Sequence, residues 1–340
     1  MDRQPIALIS NDWHIKDDNC QIIERLVEDQ CKLAQKLGFS EMYCLGDVFQ
    51  SRKSQSLPVL QCFNNILNTC QEYGLVLICF PGNHDKVDGT SEQSFLDPFK
   101  HHLSFRLIID WDIIKGKPFN FILIPYFKEE KWIEVLNDVN SKANTNLILF
   151  SHIAVNGSRN NDGTKVESSI VPSTLKGFKK VFLGHYHNTQ EVTKNIIHLP
   201  SIQQNNFGED TNKGYTILYD DLSYEIVRSD FKVFRKVIID ADKITKEVLN
   251  EAIQTYQKQS ETENIRFVFE GSEDKLKSIN KERFYQVGID VQMKNRDIEI
   301  VEDFDTVEIT QYDSENIVEE FEEFCDINSY DLKEGLSYLK

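Results

Sequence analysis

Five short runs carry the residue types that could do chemistry: Asp12-Trp13-His14, Gly46-Asp47, Gly82-Asn83-His84-Asp85, Ser151-His152 and Gly184-His185-Tyr186-His187. Together they offer carboxylate, amide and imidazole groups that two metal ions could share. Five of the chain's eight histidines fall in these runs, an odd allocation if histidine only filled a core. Imidazole and carboxylate with a single amide suit manganese, iron or zinc better than calcium or magnesium, whose sites are built almost wholly from oxygen. A pair of such ions holds a nucleophile and clamps a phosphate through its in-line displacement. The chemistry expected of the set is therefore phosphate-ester hydrolysis at a dinuclear centre, with manganese or iron favoured and zinc the next choice. Singly the runs are weak, because Gly82-Asn83-His84-Asp85 alone reads as a turn and one histidine after a strand more often packs than ligates. The weight lies in the ordered set.

Each run follows a short apolar stretch: 6–9 before Asp12, 42–45 before Asp47, 76–80 before Asn83, 147–150 before His152 and 181–183 before His185. Such stretches predict buried strands, and their carboxyl ends make the rim where open α/β sheets build sites. Asp12 and His14 lie two apart, as do His185 and His187. Alternate residues of an extended segment point the same way, so two chelating pairs are expected. Helical patterns fill the gaps, including 21–37, stopped by Gly38, and 57–73, stopped by Gly74. Strands at 215–218 and 224–227 would close a two-sheet sandwich flanked by helices.

At these residues the chain resembles the calcineurin-like metallophosphoesterases, whose pattern runs D-x-H, G-D, G-N-H-D or G-N-H-E, H, then G-H-x-H. Within them it is most similar to the SbcD-type nuclease subunits of double-strand-break repair. Gly46-Asp47-Val48-Phe49 looks like that branch's G-D-x-F, and Pro200-Ser201 through Phe207-Gly208-Glu209 like its G-S…F-G-E stretch. The resemblance implies that Asp12, His14 and His187 bind one divalent metal and Asn83, His152 and His185 the other. Asp47 would bridge both, and His84 would be the catalytic acid outside the ligand set. Asp85 would orient His84 or a ligand. Two departures stand out. Gln50 occupies a position where some members have a histidine that assists exonuclease action, and Pro200-Ser201 replaces G-S. The G-D-x-x-D-R-G and G-N-H-E of the protein phosphatases are not matched.

The expected architecture is α/β: residues 1–230 form the two-sheet metallophosphoesterase sandwich and 231–300 a small α+β capping unit that contacts DNA. Residues 301–340 form an acidic helical tail. Of 55 acidic and 38 basic residues, thirteen and two lie in that tail, so the net charge of −17 is concentrated there. Arg52 and Lys53, just past the second run, are candidate DNA contacts, and Lys275, Lys277, Lys281, Arg283, Lys294 and Arg296 a candidate phosphate track. The partners the resemblance implies are DNA, an SbcC-like coiled-coil ATPase and a second copy of the chain; the tail is either a docking site for a partner or a solvated acidic face. Leu60, Phe63, Ile66 and Leu67 form a stripe that serves either that homodimer or the core. Seven scattered cysteines read as reduced core residues. No membrane span or signal peptide is visible, which sets the expectation of a cytoplasmic protein, bacterial or phage-encoded. The rival activity is a small-molecule or cyclic-nucleotide phosphodiesterase using the same metals. A scaffold that kept the fold and lost the chemistry is disfavoured by the intact ligand pattern.

Overall fold

A computed structural model describes residues 3–88, 93–142, 146–160 and 163–296; the expected acidic tail lies outside the described residues. In chain order the first part runs β1 (Pro5–Ser10), α1 (Cys20–Leu37), β2 (Glu41–Cys44), α2 (Leu57–Glu72), β3 (Val76–Cys79), β4 (Phe105–Leu107), β5 (Asp112–Ile114) and β6 (Asn120–Ile124). It continues through α3 (Glu129–Lys142), β7 (Leu147–Ser151), β8 (Lys180–Leu183), β9 (Gln190–Thr193), β10 (Ile196–His198), β11 (Gly214–Tyr219) and β12 (Tyr224–Arg228). The remainder comprises β13 (Phe234–Asp240), α4 (Lys246–Gln259), β14 (Asn264–Gly271), α5 (Glu273–Lys277), α6 (Glu282–Tyr285) and β15 (Ile289–Asn295).

Local chemistry sets these boundaries. Helix α1 buries Ile23, Leu26, Val27, Cys31 and Ala34 at helical spacing and ends at Gly38, whose φ of 78° is left-handed. Ser56 opens α2 by accepting a hydrogen bond from the Val59 N–H, and Pro58 sits in the first turn.

Two six-stranded sheets form, in the orders β12-β11-β1-β2-β3-β4 and β5-β6-β7-β8-β10-β9. Strands β1 to β4 run parallel in the first sheet and β6, β7, β8 and β10 in the second, with antiparallel strands at the edges. The alternation along each strand explains the layers. Ala7, Ile9, Tyr43, Leu45, Ile78 and Phe80 of one sheet meet Phe121, Leu123, Ile148, Phe150 and Phe182 of the other. Leu8, Met42, Cys44, Leu77 and Cys79 point outward against α1 and α2, whereas Ile122, Ile124, Leu147, Leu149, Val181 and Leu183 point outward against α3. Covered on both faces, the strands read as continuous apolar runs. Phe63, Ile66 and Leu67 are fully buried and Leu60 packs beside them, so the α2 stripe belongs to the core and is not an exposed dimer face.

A third sheet, β13-β14-β15, is parallel throughout. One face packs Ile239, Ile265, Phe267, Phe269 and Ile289 against Ile253, Leu276 and Phe284 of α4, α5 and α6. Phe267, fully buried, meets Tyr256 at 5.4 Å, Phe284 at 5.8 Å and Phe269 at 6.2 Å between ring centres. Replacing it with alanine is expected to destabilise this small unit by about 3–5 kcal/mol. The check is the urea midpoint followed by circular dichroism, and an unshifted midpoint would contradict the packing described. Among the described residues no helix is long and apolar enough to cross a membrane.

Candidate metal centre

All five runs leave the carboxyl ends of parallel strands: Asp12 follows β1, Asp47 follows β2, Asn83 follows β3, His152 follows β7 and His185 follows β8. The two sheets thus deliver polar groups to a common rim. The first two loops are laced together, with the Asp12 N–H donating to Gly46 O at 3.0 Å and the His14 N–H to Asp47 O at 3.1 Å. The expectation that Asp12 and His14 pair off along an extended segment is corrected here. Both are left-handed, with φ of 51° and 47°, so it is turned backbone, not strand alternation, that aims the two side chains. Asp47 and His185 share this conformation at 51° and 87°, making four of the six non-glycine residues with positive φ among those described. Each such residue costs on the order of 1–3 kcal/mol and persists where surrounding structure enforces it, commonly at a working site.

Gly82 shows how tightly the loops close. A Cβ placed there would lie 2.1 Å from Asp47 Oδ1 and 2.4 Å from Asp47 N. Gly82→Ala is therefore expected to displace the Asp47 carboxylate and weaken binding of divalent metal while the sheets still fold. Calorimetric titration of a variant with wild-type circular dichroism tests this, and an unchanged isotherm would refute it.

The side chains fall into two neighbouring groups. Asp12, His14 and His187 offer ligand atoms within 4.8 Å of one another, with His14 Nε2 at 2.9 Å from His187 Nε2. In the second group Asn83 Oδ1 stands 3.0 Å from both His152 Nε2 and His185 Nδ1. Between them lies Asp47, whose Oδ2 is 3.3 Å from His152 Nε2 and 3.7 Å from His14 Nε2. The donor set fits divalent ions. Lone-pair atoms converge from several directions, and nitrogen with carboxylate is the mixture that manganese, iron or zinc accepts. Orientation supports the fit, because His152 Nδ1 faces Leu45 O at 2.7 Å and His187 Nδ1 faces Glu209 Oε1 at 2.8 Å. A proton held on each Nδ1 leaves Nε2 free to ligate.

His84 stands apart in its bonding. Its Nδ1 meets Gln50 O at 2.7 Å, and its Nε2 accepts from Arg52 Nη2 at 3.0 Å. An Arg guanidinium on Nε2 is a poor neighbour for a cation ligand, although the ring centre is only 4.8 Å from that of His14. Gln50, the departure noted above, thus contributes to the site through its backbone carbonyl.

Charge in the cluster follows from burial and neighbours. Burial raises the Asp12 carboxyl and lowers the His14 and His185 imidazoles. Burial also pushes Asp47 upward, but His152 and His84 hold it well below the usual carboxylate range. Burial opposes charge on His152, yet Asp47 lifts its imidazole to about 9. The same opposition, resolved by the Glu209 hydrogen bond, raises His187.

The roles of several positioning residues escape a reading of the motifs. Glu209 is buried with Lys213, whose Nζ lies 3.2 Å from Glu209 Oε2 and donates to His187 O at 2.6 Å. Burial lowers the Lys213 ammonium, and although burial raises Glu209, the His187 contact brings it down overall. Trp132 donates to Ser151 Oγ at 3.0 Å, which donates to Ile124 O at 2.7 Å and fixes the residue before His152. His198 is fully buried, with Nδ1 at 2.9 Å from Gly184 O; burial lowers it to about 4. Asp85 does not touch His84. Its carboxylate accepts the Phe49 N–H at 2.9 Å and the Gly82 N–H at 2.8 Å, tying two loops together, and burial with Asp47 nearby pushes it up to about 7.

The cluster opens into a cleft of about 870 Å³ lined by Arg52, Asn83, His84, His185, His187 and Lys236, among others. Lys53, on the same loop as Arg52, is exposed and is not part of this wall. Of the candidate phosphate track, Lys277 pairs with Glu273, Lys294 with Glu270, and Arg296 with Asp240 and Asp242. Lys236 of β13, overlooked in the sequence, reaches the cleft.

No family model matches the chain. It is 26% identical over 299 residues to putative phosphoesterase 244L of Invertebrate iridescent virus 6, covering 83% of this chain and 99% of that protein. It is 27% identical over 195 residues to exonuclease subunit 1 of Enterobacteria phage T4, covering 53% of this chain and 54% of that protein. Among solved structures it is similar to a dimetal phosphatase from Danio rerio, at 12% identity and a TM-score of 0.43, over 64% of this chain and 93% of that one. The calcineurin-like phosphoesterase YfkN from Bacillus subtilis is similar at 12% identity and a TM-score of 0.41, over 67% and 89%.

Proposed function

We propose that this chain is a two-metal phosphodiester hydrolase acting on DNA. The observation that carries the reading is the placement of Asp47 between two donor groups, with Oδ2 at 3.3 Å from His152 and 3.7 Å from His14. Asp12, His14 and His187 would hold one ion, Asn83, His152 and His185 the other, and Asp47 both. When bound, the ions would supply an activated water and stabilise charge on the phosphate oxygens. Hydrolysis forms a P–O bond from water and breaks the bond to the leaving oxygen. On substrate binding Arg52 would exchange His84 for a phosphate oxygen, and the freed His84 Nε2, a lone pair while it accepts from Arg52, would take up a proton from solvent and pass it to the leaving oxygen.

The names of the two relatives, a putative phosphoesterase and an exonuclease subunit, support phosphoester cleavage. An open cleft walled by Arg52 and Lys236 suits a polyanion passing through. Manganese is the proposed ion, on the strength of the mixed nitrogen and oxygen donors. By the resemblance of its motifs, the chain works in the cytoplasm as a homodimer with an SbcC-like coiled-coil ATPase in DNA repair and recombination. The test is cleavage of end-labelled linear and hairpin DNA with manganese, alone and with such a partner, beside bis-p-nitrophenyl phosphate. DNA cleavage supports the reading. Hydrolysis of the small ester alone overturns it in favour of a small-molecule phosphodiesterase.

A further inference from the structure

The segment between β10 and β11 holds the residue that orients His187, and the third sheet grips that same segment. Glu209 Oε1 faces His187 Nδ1 at 2.8 Å and accepts from Asn206 Nδ2 at 2.8 Å, while its Oε2 accepts the Asn205 N–H at 3.1 Å. Its carboxylate is thus set by the shape of 204–209 together with Lys213, whose Nζ lies 3.2 Å from Oε2. Two contacts fix that shape from outside. Phe207 stands edge-on to Phe234 of β13, with ring centres 5.0 Å apart and planes at 89°, and carries Arg266 of β14 over its ring, the guanidinium carbon 4.0 Å from the centre. Arg266 is itself held by Asp290 of β15 at 2.6 Å. The Gln204 side chain, buried, spans the same junction: Oε1 accepts the Phe234 N–H at 2.9 Å and Nε2 donates to Glu209 O at 2.9 Å. Two strands of the small sheet, β13 and β14, therefore bear on a six-residue stretch that ends on the partner of His187, and the third braces Arg266.

We propose that Phe207 is a positioning residue through which the third sheet sets His187 for metal binding. This rests on the reading of His187 as a ligand. The stacked ring is the natural handle, because edge-to-face and cation–π contacts fix direction as well as distance. Loss of the ring frees 204–209, lets the Glu209 carboxylate turn, and relaxes the Nε2 aim of His187. The ion held by Asp12, His14 and His187 feels this; the ion held by Asn83, His152 and His185 does not. Residues that orient a ligand typically change affinity by about 10–100-fold.

The experiment is calorimetric titration of the full chain with manganese, resolving two sites, for wild type, Phe207→Ala, Phe207→Tyr, Arg266→Gln and Glu209→Gln, with circular dichroism as the check on folding. The expected result is weakening of one site by about tenfold or more in Phe207→Ala, a smaller effect in Arg266→Gln, and recovery in Phe207→Tyr. Glu209→Gln should weaken the same site. Should Phe207→Ala and Arg266→Gln bind as wild type while Glu209→Gln weakens one site, the third sheet plays no part and the inference falls, with the metal reading intact. Equal weakening of both sites with a lowered melting temperature also overturns it, as general loosening. A wild-type chain that takes up no manganese removes the metal reading itself.

Discussion

Asp47→Asn is expected to reduce phosphoester hydrolysis by about a thousandfold or more, since in the proposed centre a shared metal ligand would underwrite several kcal/mol of transition-state stabilisation. The substitution is nearly isosteric. The amide oxygen can still accept the His84 N–H that Asp47 Oδ1 accepts at 2.8 Å, so the loop has little reason to move. What changes is charge: the group facing His152 and His14 loses its negative charge and the two donor sets lose their common anion. Manganese titration should show the stoichiometry falling below that of wild type, alongside the lost activity. Full activity with two bound ions would show that Asp47 does not bridge.

His84→Ala separates catalysis from binding. Loss of a positioned proton donor is expected to slow phosphoester hydrolysis by about 10²–10⁴-fold, while manganese titration stays as in wild type. The reason is geometric: Nε2 faces Arg52 at 3.0 Å and Nδ1 faces the Gln50 carbonyl at 2.7 Å, so both nitrogens have other partners, although His84 also offers a ligand atom within 4.8 Å of those of His14 and Asp47. Loss of a metal together with activity would instead make His84 a ligand.

The strands that bear the site were legible because burial on both faces makes each a run of apolar residues, and the motif residues sit immediately beyond them. Helices α1 and α2 were equally plain from their spacing and stops. Helix α3 was not, since its stripe of Trp132, Val135, Leu136 and Val139 is interleaved with charge and follows no motif. Strands β4, β5 and β10 are three residues each, too short to show a period. Glu209 was visible as part of a resemblance, but its role depends on a contact with His187 across 22 positions, which no local pattern reveals. Lys213 gave the least signal: a lysine predicts exposure, and this one is fully buried because Glu209, Asn188 and the His187 carbonyl surround its ammonium. The left-handed Asp12 and His14 are a further case, where the sequence favours strand-like alternation and the fold imposes a turn.

Asp12, Asp47 and Asn83 come from the loops of one sheet, and His152, His185 and His187 from those of the other. Ions bound among them would act as rivets through the sandwich, since the halves could not part without giving up the metal. A ligand that binds only the closed form stabilises it by about 2.7 kcal/mol at a hundredfold excess over its dissociation constant. The same ions would then be reagent and fastener. A cell short of metal would lose this protein to proteases as well as losing its activity.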